Sequence, residues 1–213
     1  MGRYREERVG GKLMGVSISW LAVKDMEPEA VHKQLGLLSS REFDSDPKHP
    51  FLGRLLPSGW YLVVANRCDH PIVLDEMLSA ISVHSRVVAA TVEEHVMSCS
   101  STSWWNGQLE WRVQHEADKG VTHLQVSGTP PDDLETLRQG ALARQLCHDD
   151  EPGVDYIFDV PLDLAKRVVG FRHDESEPGP ELEYFEILKV PDPPAEKPRK
   201  KSRKAKYGRL TLW

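Results

Sequence analysis

Hydrophobic and polar residues alternate in blocks that predict strands and helices along most of the chain. An apolar run from Val16 to Val23 is typical of a strand, and Pro28, between two acidic residues, begins a helix that ends near Leu38. The next stretch, Ser39 to Ser58, is rich in Pro, Asp, Ser and Gly. We therefore expect a long surface loop there.

A second strand is indicated by the continuous aromatic and β-branched run from Gly59 to Asn66. Such a run is typical of a strand covered on both faces, so we place it at the centre of the sheet. Apolar residues at helical spacing from Ile72 to Val83 predict a second helix, and Arg86 to Val92 predicts a third strand. The order strand, helix, strand, helix, strand allows two βαβ crossover units in a mixed sheet.

The pattern changes after residue 95, where three segments predict an antiparallel meander. They are residues 96–105, 108–115 and 121–126, and Asn106 and Gly107 join the first two. Asn-Gly is the favoured sequence of a two-residue type I′ hairpin turn, which makes this hairpin the strongest local signal in the chain.

Tryptophans gather at this hairpin. Strict alternation places Trp104 on the same face as Leu109 and Trp111, and it places Trp105 on the opposite face with Glu110. Aromatic pairs across strands stabilise a hairpin, but an exposed tryptophan at a hairpin tip is also a favoured anchor for a protein partner. We therefore take Trp104, Trp105, Trp111 and Glu110 as candidate partner-binding residues, with plain packing as the alternative.

The last third of the chain predicts shorter elements. An apolar stripe predicts a helix from Pro130 to Leu146, and Val154 to Val160 predicts a short strand or extended segment. A short helix from Pro161 to Val169, which Gly170 ends, and an edge strand from Leu182 to Val190 follow. The expected fold class is α+β, with a mixed sheet of βαβα units followed by an antiparallel three-stranded meander and further helices.

The length of 213 residues and the lack of a long internal linker favour a single domain. We assign residues 14–191 to this α+β domain, residues 1–13 to a flexible N-terminal extension, and residues 192–213 to a disordered basic tail. Apolar residues make up 39% of the chain and charged residues 28%, which excludes a fibrous or wholly disordered protein.

The net charge of −6 combines two regions of opposite sign. Residues 192–213 contain eight Lys and Arg and two acids, a net charge of +6. The 27 bases and 33 acids of the whole chain therefore leave 19 bases and 31 acids in residues 1–191, a net charge of −12. Such a body repels nucleic acid and membrane surfaces and attracts basic partners.

The basic residues of the tail are concentrated in residues 197–206. A run of this density can hold nucleic acid through counterion release. It has neither interleaved aromatic residues nor a predicted folded scaffold, so we expect at most weak, non-specific binding, and a purely solvated tail is the alternative. The candidate contacts to nucleic acid or other anions are Lys197, Arg199, Lys200, Lys201, Arg203 and Lys204.

Cysteine usage and the lack of known motifs narrow the function classes. Cys68, Cys99 and Cys147 are too widely spaced to indicate a disulfide framework or a CxxC metal site, so a reducing compartment is expected. No apolar run is long enough to cross a bilayer, and we expect a cytoplasmic protein without a membrane partner. The chain carries none of the phosphate-binding, dinucleotide or metalloprotease motifs, and we expect no cofactor.

One cluster could support catalysis. Cys68 follows the predicted central strand, and either His70 or His95 could act as its base in a small cysteine-dependent hydrolase or transferase. A structural interpretation is simpler: Asp69 caps the following helix, Cys68 is a small buried residue, and His70 belongs to the turn.

A second cluster raises the question of metal binding. Glu93, Glu94 and His95 are adjacent, and His115 or His123 of the meander could join them. The histidines of the chain lack the spacing of metal ligands, so we predict no metal site.

The sequence favours a non-enzymatic intracellular protein that binds a protein partner, most simply a basic one, through its acidic surface and hairpin aromatics. A bacterial immunity or antitoxin-type inhibitor is the concrete form of this hypothesis, by analogy of size and charge. The cysteine enzyme is the alternative.

Overall fold

The fold is built on one open antiparallel sheet. The computed structural model describes residues 15–45, 48–147, 154–175 and 184–191, which form nine strands and four α-helices. The strands are β1 (Ser17–Lys24), β2 (Leu38–Asp44), β3 (Phe51–Leu55), β4 (Tyr61–Ala65), β5 (Arg86–Glu93), β6 (Ser98–Trp105), β7 (Gln108–Glu116), β8 (Gln125–Gly128) and β9 (Phe185–Lys189). The helices are α1 (Pro28–Leu35), α2 (Asp75–Ile81), α3 (Asp133–Cys147) and α4 (Asp159–Val169).

The order of the strands confirms an α+β fold and corrects its details. The strands lie in the order β2-β9-β3-β4-β1-β5-β6-β7-β8, and each pairing of described strands is antiparallel, so the expected mixed sheet is not observed. The middle strand is β1, with β4 directly beside it. Because β4 and β5 are both antiparallel to β1, they run in the same direction on either side of it, and α2 connects them. The predicted crossover units join two neighbouring parallel strands. Here β1 lies between the two parallel strands that α2 connects, so this prediction was wrong.

Two predictions for the outer strands were wrong. The expected loop at residues 39–58 contains most of β2 and all of β3. β2 is an edge strand with mostly exposed residues, so it lacks the hydrophobic alternation that marks a strand. β9, expected at an edge, lies between β2 and β3, where Lys189 pairs with Glu42 of β2 at 3.1 Å.

Residues 154–158 lead into α4 and do not form the expected strand. The Asp155 carboxylate accepts hydrogen bonds from the backbone N–H groups of Ile157 and Phe158, both at 3.1 Å, and α4 begins at Asp159. It ends at Gly170, whose φ of 85° suits a helix C-terminus, as the sequence predicts.

Helices cover both faces of the sheet. On the first face, α1 and α2 pack on β1, β4 and β5, with Leu21, Val63 and Leu78 in the buried cluster. On the second face, α3 and α4 cover β5, β6 and β7, with Trp111 and Leu164 among the buried residues. The first face of β5, β6 and β7 carries polar residues beyond α2, and this part of the sheet frames the candidate site.

The predicted meander is confirmed, but its third strand lies at Gln125–Gly128 instead of residues 121–126, and a β-bulge at Glu110 alters its register. Trp104 is opposite Leu109, and after this pair the register shifts by one residue. Trp104 and Leu109 therefore pack on the first face, whereas Trp111 packs against α3 and α4 on the second. Gly128 pairs with Trp111, and its φ of 75° and missing side chain allow it to approach the Glu110 carbonyl closely.

The N-terminal extension (residues 1–13) and the basic tail (residues 192–213) lie outside the described residues. Among the helices that the structure describes, none has the length and hydropathy needed to span a membrane.

Candidate functional site

A groove of about 360 Å³ lies on the open part of the first face. Strands β5, β6 and β7 form its floor, and residues 68–75, which precede and begin α2, form one wall. The pleat of the strands brings four small hydroxyl side chains to the floor, where they leave space above the sheet. They are Thr91, Ser98, Ser100 and Thr102.

Carboxylates dominate the charged lining of the groove. Among the described residues, four acids and a single basic side chain line it: Asp69, Asp75, Glu93, Glu116 and Arg112. The Arg112 guanidinium on the floor donates to the Asp75 carboxylate on the wall at 2.5 Å. Lys119 pairs with Glu116, so the groove keeps a smaller excess of negative charge, and it already holds one guanidinium.

Glu93 belongs to a chain of hydrogen bonds at one end of the groove. The Ser17 hydroxyl donates to Glu93 Oε2 at 2.6 Å, and His95 Nδ1 lies 2.5 Å from Glu93 Oε1. The hydrogen bond from Ser17, together with those from His95, lowers the pKa of Glu93, although partial burial opposes it. Glu93 therefore stays ionised at neutral pH.

This chain of hydrogen bonds lacks the order of a catalytic triad. In a triad the imidazole stands between the nucleophile and the carboxylate, whereas here the carboxylate of Glu93 stands between Ser17 and His95. A proton cannot pass directly from Ser17 to the imidazole.

Cys68 lines the wall of the groove as a partly buried thiol. Burial raises its pKa to about 11, and the negative charges of Asp69 and Glu93 add to this effect. The His70 side chain caps the turn that follows it, since its Nδ1 accepts a hydrogen bond from the Ile72 N–H at 3.3 Å. Within the described part of the chain, neither His70 nor His95 hydrogen-bonds to the Cys68 thiol.

The residues considered for a metal site lie on different faces of the sheet. Glu93 faces the groove, whereas Glu94 accepts a hydrogen bond from the Val16 N–H at 2.8 Å. His115 belongs to the second face with its register partner Cys99, so the pleat separates it from Glu93. In the segments that the structure describes, no three His, Cys, Asp or Glu side chains are grouped as metal ligands.

The candidate partner-binding tryptophans differ in exposure. Trp104 is 6% exposed and Trp111 4%, whereas Trp105 is 37% exposed, so Trp105 and Glu110 are the members of this set that offer surface to a partner. The Arg86 guanidinium lies 5.6 Å from the centre of the Trp105 ring and 3.3 Å from Glu110. We call Arg86, Trp105 and Glu110 the hairpin patch; it lies on the second face, away from the groove.

A buried pair that no sequence pattern indicates joins the sheet to the segment before α4. His115 is fully buried, its Nδ1 donates to the His123 carbonyl at 2.7 Å, and its Nε2 donates to Asp155 at 2.9 Å. The His123 carbonyl can only accept, so Nδ1 carries a hydrogen, and a carboxylate at Asp155 favours a second hydrogen on Nε2. Burial alone lowers the pKa of His115, but the hydrogen bonds to Asp155 and His123 outweigh it and raise the pKa.

Comparisons of the chain with protein-family models, with curated protein sequences and with solved structures find no match.

The basic residues proposed to contact anions, residues 197–204, lie outside the described residues.

Proposed function

We propose that this chain is a non-enzymatic cytoplasmic protein that binds a basic protein partner by taking a positively charged segment of it into the groove. The excess of carboxylates over basic side chains in the groove lining carries this proposal. An inhibitor of the immunity or antitoxin type, which blocks its partner by covering a basic functional surface, is the concrete form.

The groove suits a basic segment in charge and in shape. Its four carboxylates lie within a body of net charge −12, so the field of the protein attracts cations over a distance and the groove then holds them at short range. The pair of Arg112 and Asp75 shows that a guanidinium fits between floor and wall. The hydroxyl groups of the floor can accept further hydrogen bonds from a partner's ammonium or guanidinium groups.

We assign a separate contact to the hairpin patch. Trp105 presents a rigid aromatic surface flanked by charges of both signs, a composition that is common at protein interfaces. Because the patch and the groove lie on opposite faces, a partner that uses both has to wrap around the sheet. The two surfaces are therefore tested separately.

The state of Cys68 favours binding over cysteine catalysis. A nucleophilic cysteine needs a depressed pKa or an adjacent base, and burial with neighbouring carboxylates instead raises the pKa of Cys68 to about 11. At neutral pH the thiol stays protonated.

The test compares two double variants of the full chain in affinity capture from a native cell extract. The groove variant, Asp69→Asn with Asp75→Asn, removes two exposed carboxylates from the groove. The control variant is Asp25→Asn with Asp133→Asn, and each of its residues matches one of the groove variant. Asp25, like Asp69, is exposed and has a positive φ. Asp133, like Asp75, is the first residue of a helix and forms an ion pair with an arginine at 2.5 Å.

We expect mass spectrometry to identify one basic protein that both the wild type and the control variant retain. The groove variant should not retain this protein. Trp105→Ala shows whether the hairpin patch contributes to the same complex. If the groove variant retains every protein that the wild type retains, the groove is not the binding site.

A further inference from the structure

The basic run of residues 197–206 has no role in the function proposed above, yet it has the chemistry that the groove selects. It carries seven Lys and Arg and no acid, whereas the charged lining of the groove is four carboxylates and Arg112. Both belong to one chain, so the run is present near the groove at a high effective concentration. No other segment of the chain combines such density of positive charge with an absence of acids.

The length of the chain permits the run to reach the groove. β9 and β6 are separated by five strand spacings, which at about 4.8 Å each amount to about 24 Å. Residues 192–206 span up to about 50 Å when extended, at about 3.3 Å per residue. The segment can therefore leave the sheet after β9, cross it, and place several basic residues over β5, β6 and β7.

We propose that the groove binds the basic segment Lys197–Lys206 of its own chain, and that a basic partner has to displace this segment. The inference rests on the proposed function, because it assumes that the groove selects cations. It adds a form of regulation: the segment competes with the partner, so it sets a threshold for binding and discriminates against weakly basic proteins. It also keeps the tail from binding nucleic acid.

The test uses the full chain and a fluorescein-labelled peptide with the sequence of residues 197–206 as the probe. In a tail-neutral variant, the seven basic residues of the segment are changed to Gln: K197Q, R199Q, K200Q, K201Q, R203Q, K204Q and K206Q. Fluorescence anisotropy measures the affinity of the peptide for the wild type and for this variant. We expect the tail-neutral variant to bind the peptide at least about tenfold more tightly, a difference of about 1.4 kcal/mol.

Two further variants separate this inference from the proposed function. In the tail-neutral background, the groove substitutions Asp69→Asn and Asp75→Asn should weaken peptide binding about tenfold, whereas the matched Asp25→Asn and Asp133→Asn should change it little. Equal peptide affinities for the wild type and the tail-neutral variant, with the groove substitutions still weakening binding, overturn the inference and leave the proposed function standing. Equal affinities for the groove and control variants overturn both.

A labelled DNA duplex gives an independent readout of whether the tail is bound. If the groove holds the segment, the groove variant of the full chain binds DNA more tightly than the wild type does, and the control variant does not. If the wild type binds DNA as tightly as the free peptide, the segment is not held and the inference is wrong. Self-association of the wild type that is lost in the tail-neutral variant would identify a second copy as the source of the segment and would also contradict binding within one chain.

Discussion

The two faces of β5, β6 and β7 have opposite chemistry although they share a backbone. The second face carries Trp111 and Val113 beneath α3 and α4, together with the buried pair of His115 and Asp155. The first face carries hydroxyl groups, carboxylates and Arg112 beneath open space. Because alternate residues of a strand face opposite sides, the same three strands can stabilise the fold on one side and bind a ligand on the other. Substitutions of the buried residues on the second face should therefore affect stability, and substitutions in the groove should affect binding.

The largest loss of stability is expected for Trp111→Ala. Trp111 is 4% exposed and packs against α3 and α4, so its removal leaves a large cavity and should cost about 3 to 5 kcal/mol in the free energy of unfolding. Urea denaturation followed by circular dichroism measures this cost. Ser100→Ala on the open face is the comparison and should cost less than about 1 kcal/mol. Equal costs would show that the two faces do not differ as the structure indicates.

The next largest effect concerns the buried pair of His115 and Asp155. Asp155→Asn leaves a buried imidazolium without its counter-charge and should cost about 3 kcal/mol near pH 6. The pKa of His115 is raised above its ordinary value of 6.5, so the folded state binds the proton more tightly than the unfolded state does. This stabilisation is complete below pH 6.5 and is lost as the pH rises through the folded pKa.

Denaturation of the wild type at a series of pH values from 6 upward tests this dependence. The wild type should lose stability with rising pH, and His115→Gln should lack this contribution. If the free energy of unfolding changes with pH in the same way in both proteins, His115 is not an imidazolium in the folded state.

Two arginines should differ in their effect on stability. Arg172 is 11% exposed and donates to Asp159, Asp163 and Asp174 at 2.6 to 2.7 Å. Arg172→Ala leaves these three carboxylates without their shared cation and should lower the free energy of unfolding by about 2 to 3 kcal/mol. Arg112 in the groove is 32% exposed and its partner Asp75 is 55% exposed, so Arg112→Ala should cost less than about 1 kcal/mol. Thermal unfolding of the two variants measures both. A large cost for Arg112→Ala would show that its pair with Asp75 stabilises the fold, contrary to the exposure of both side chains.

The smallest effect is on the reactivity of Cys68. A thiol whose pKa is about 11 should react slowly with a thiol reagent such as DTNB at pH 7, and its reaction should accelerate as the pH rises toward 11. Cys147 is exposed, so Cys147→Ser is used as the background in which the rate is measured. Rapid labelling of Cys68 at pH 7, lost in Cys68→Ser, would restore the cysteine-enzyme hypothesis.

Local patterns predicted the elements best where neighbouring residues decide the structure. The Asn106-Gly107 turn is confirmed with both residues at positive φ, and the helix that ends at Gly170 is confirmed as well. One tryptophan of the pair Trp104 and Trp105 was expected to point away from the core, and Trp105 does.

The predictions failed where contacts between distant residues decide the structure. The place of β9 inside the sheet depends on its pairing with β2 and β3, which are more than 100 residues away in the chain. The bulge at Glu110 moved Trp111 to the other face, because a shift of one residue reverses the alternation.

The candidate site was less predictable than the fold. Its floor comes from three strands, two of which supply the hydroxyl groups, and its wall comes from residues 68–75, so no short motif contains it. Cys68 was singled out for its sequence position and does line the groove, but its raised pKa follows from burial that the sequence does not reveal. His115 and Asp155 are 40 residues apart and show no common pattern.

We propose that the carboxylates of the groove, beyond the general acidity of the body, bind the basic partner. The most direct test is the affinity of the captured partner, measured by calorimetry, for the wild type, the groove variant and the control variant. The two variants carry the same net charge, so a non-specific electrostatic attraction affects them equally. We predict an affinity about tenfold lower for the groove variant and nearly unchanged for the control variant. Equal affinities for the two variants would show that the groove carboxylates do not bind the partner.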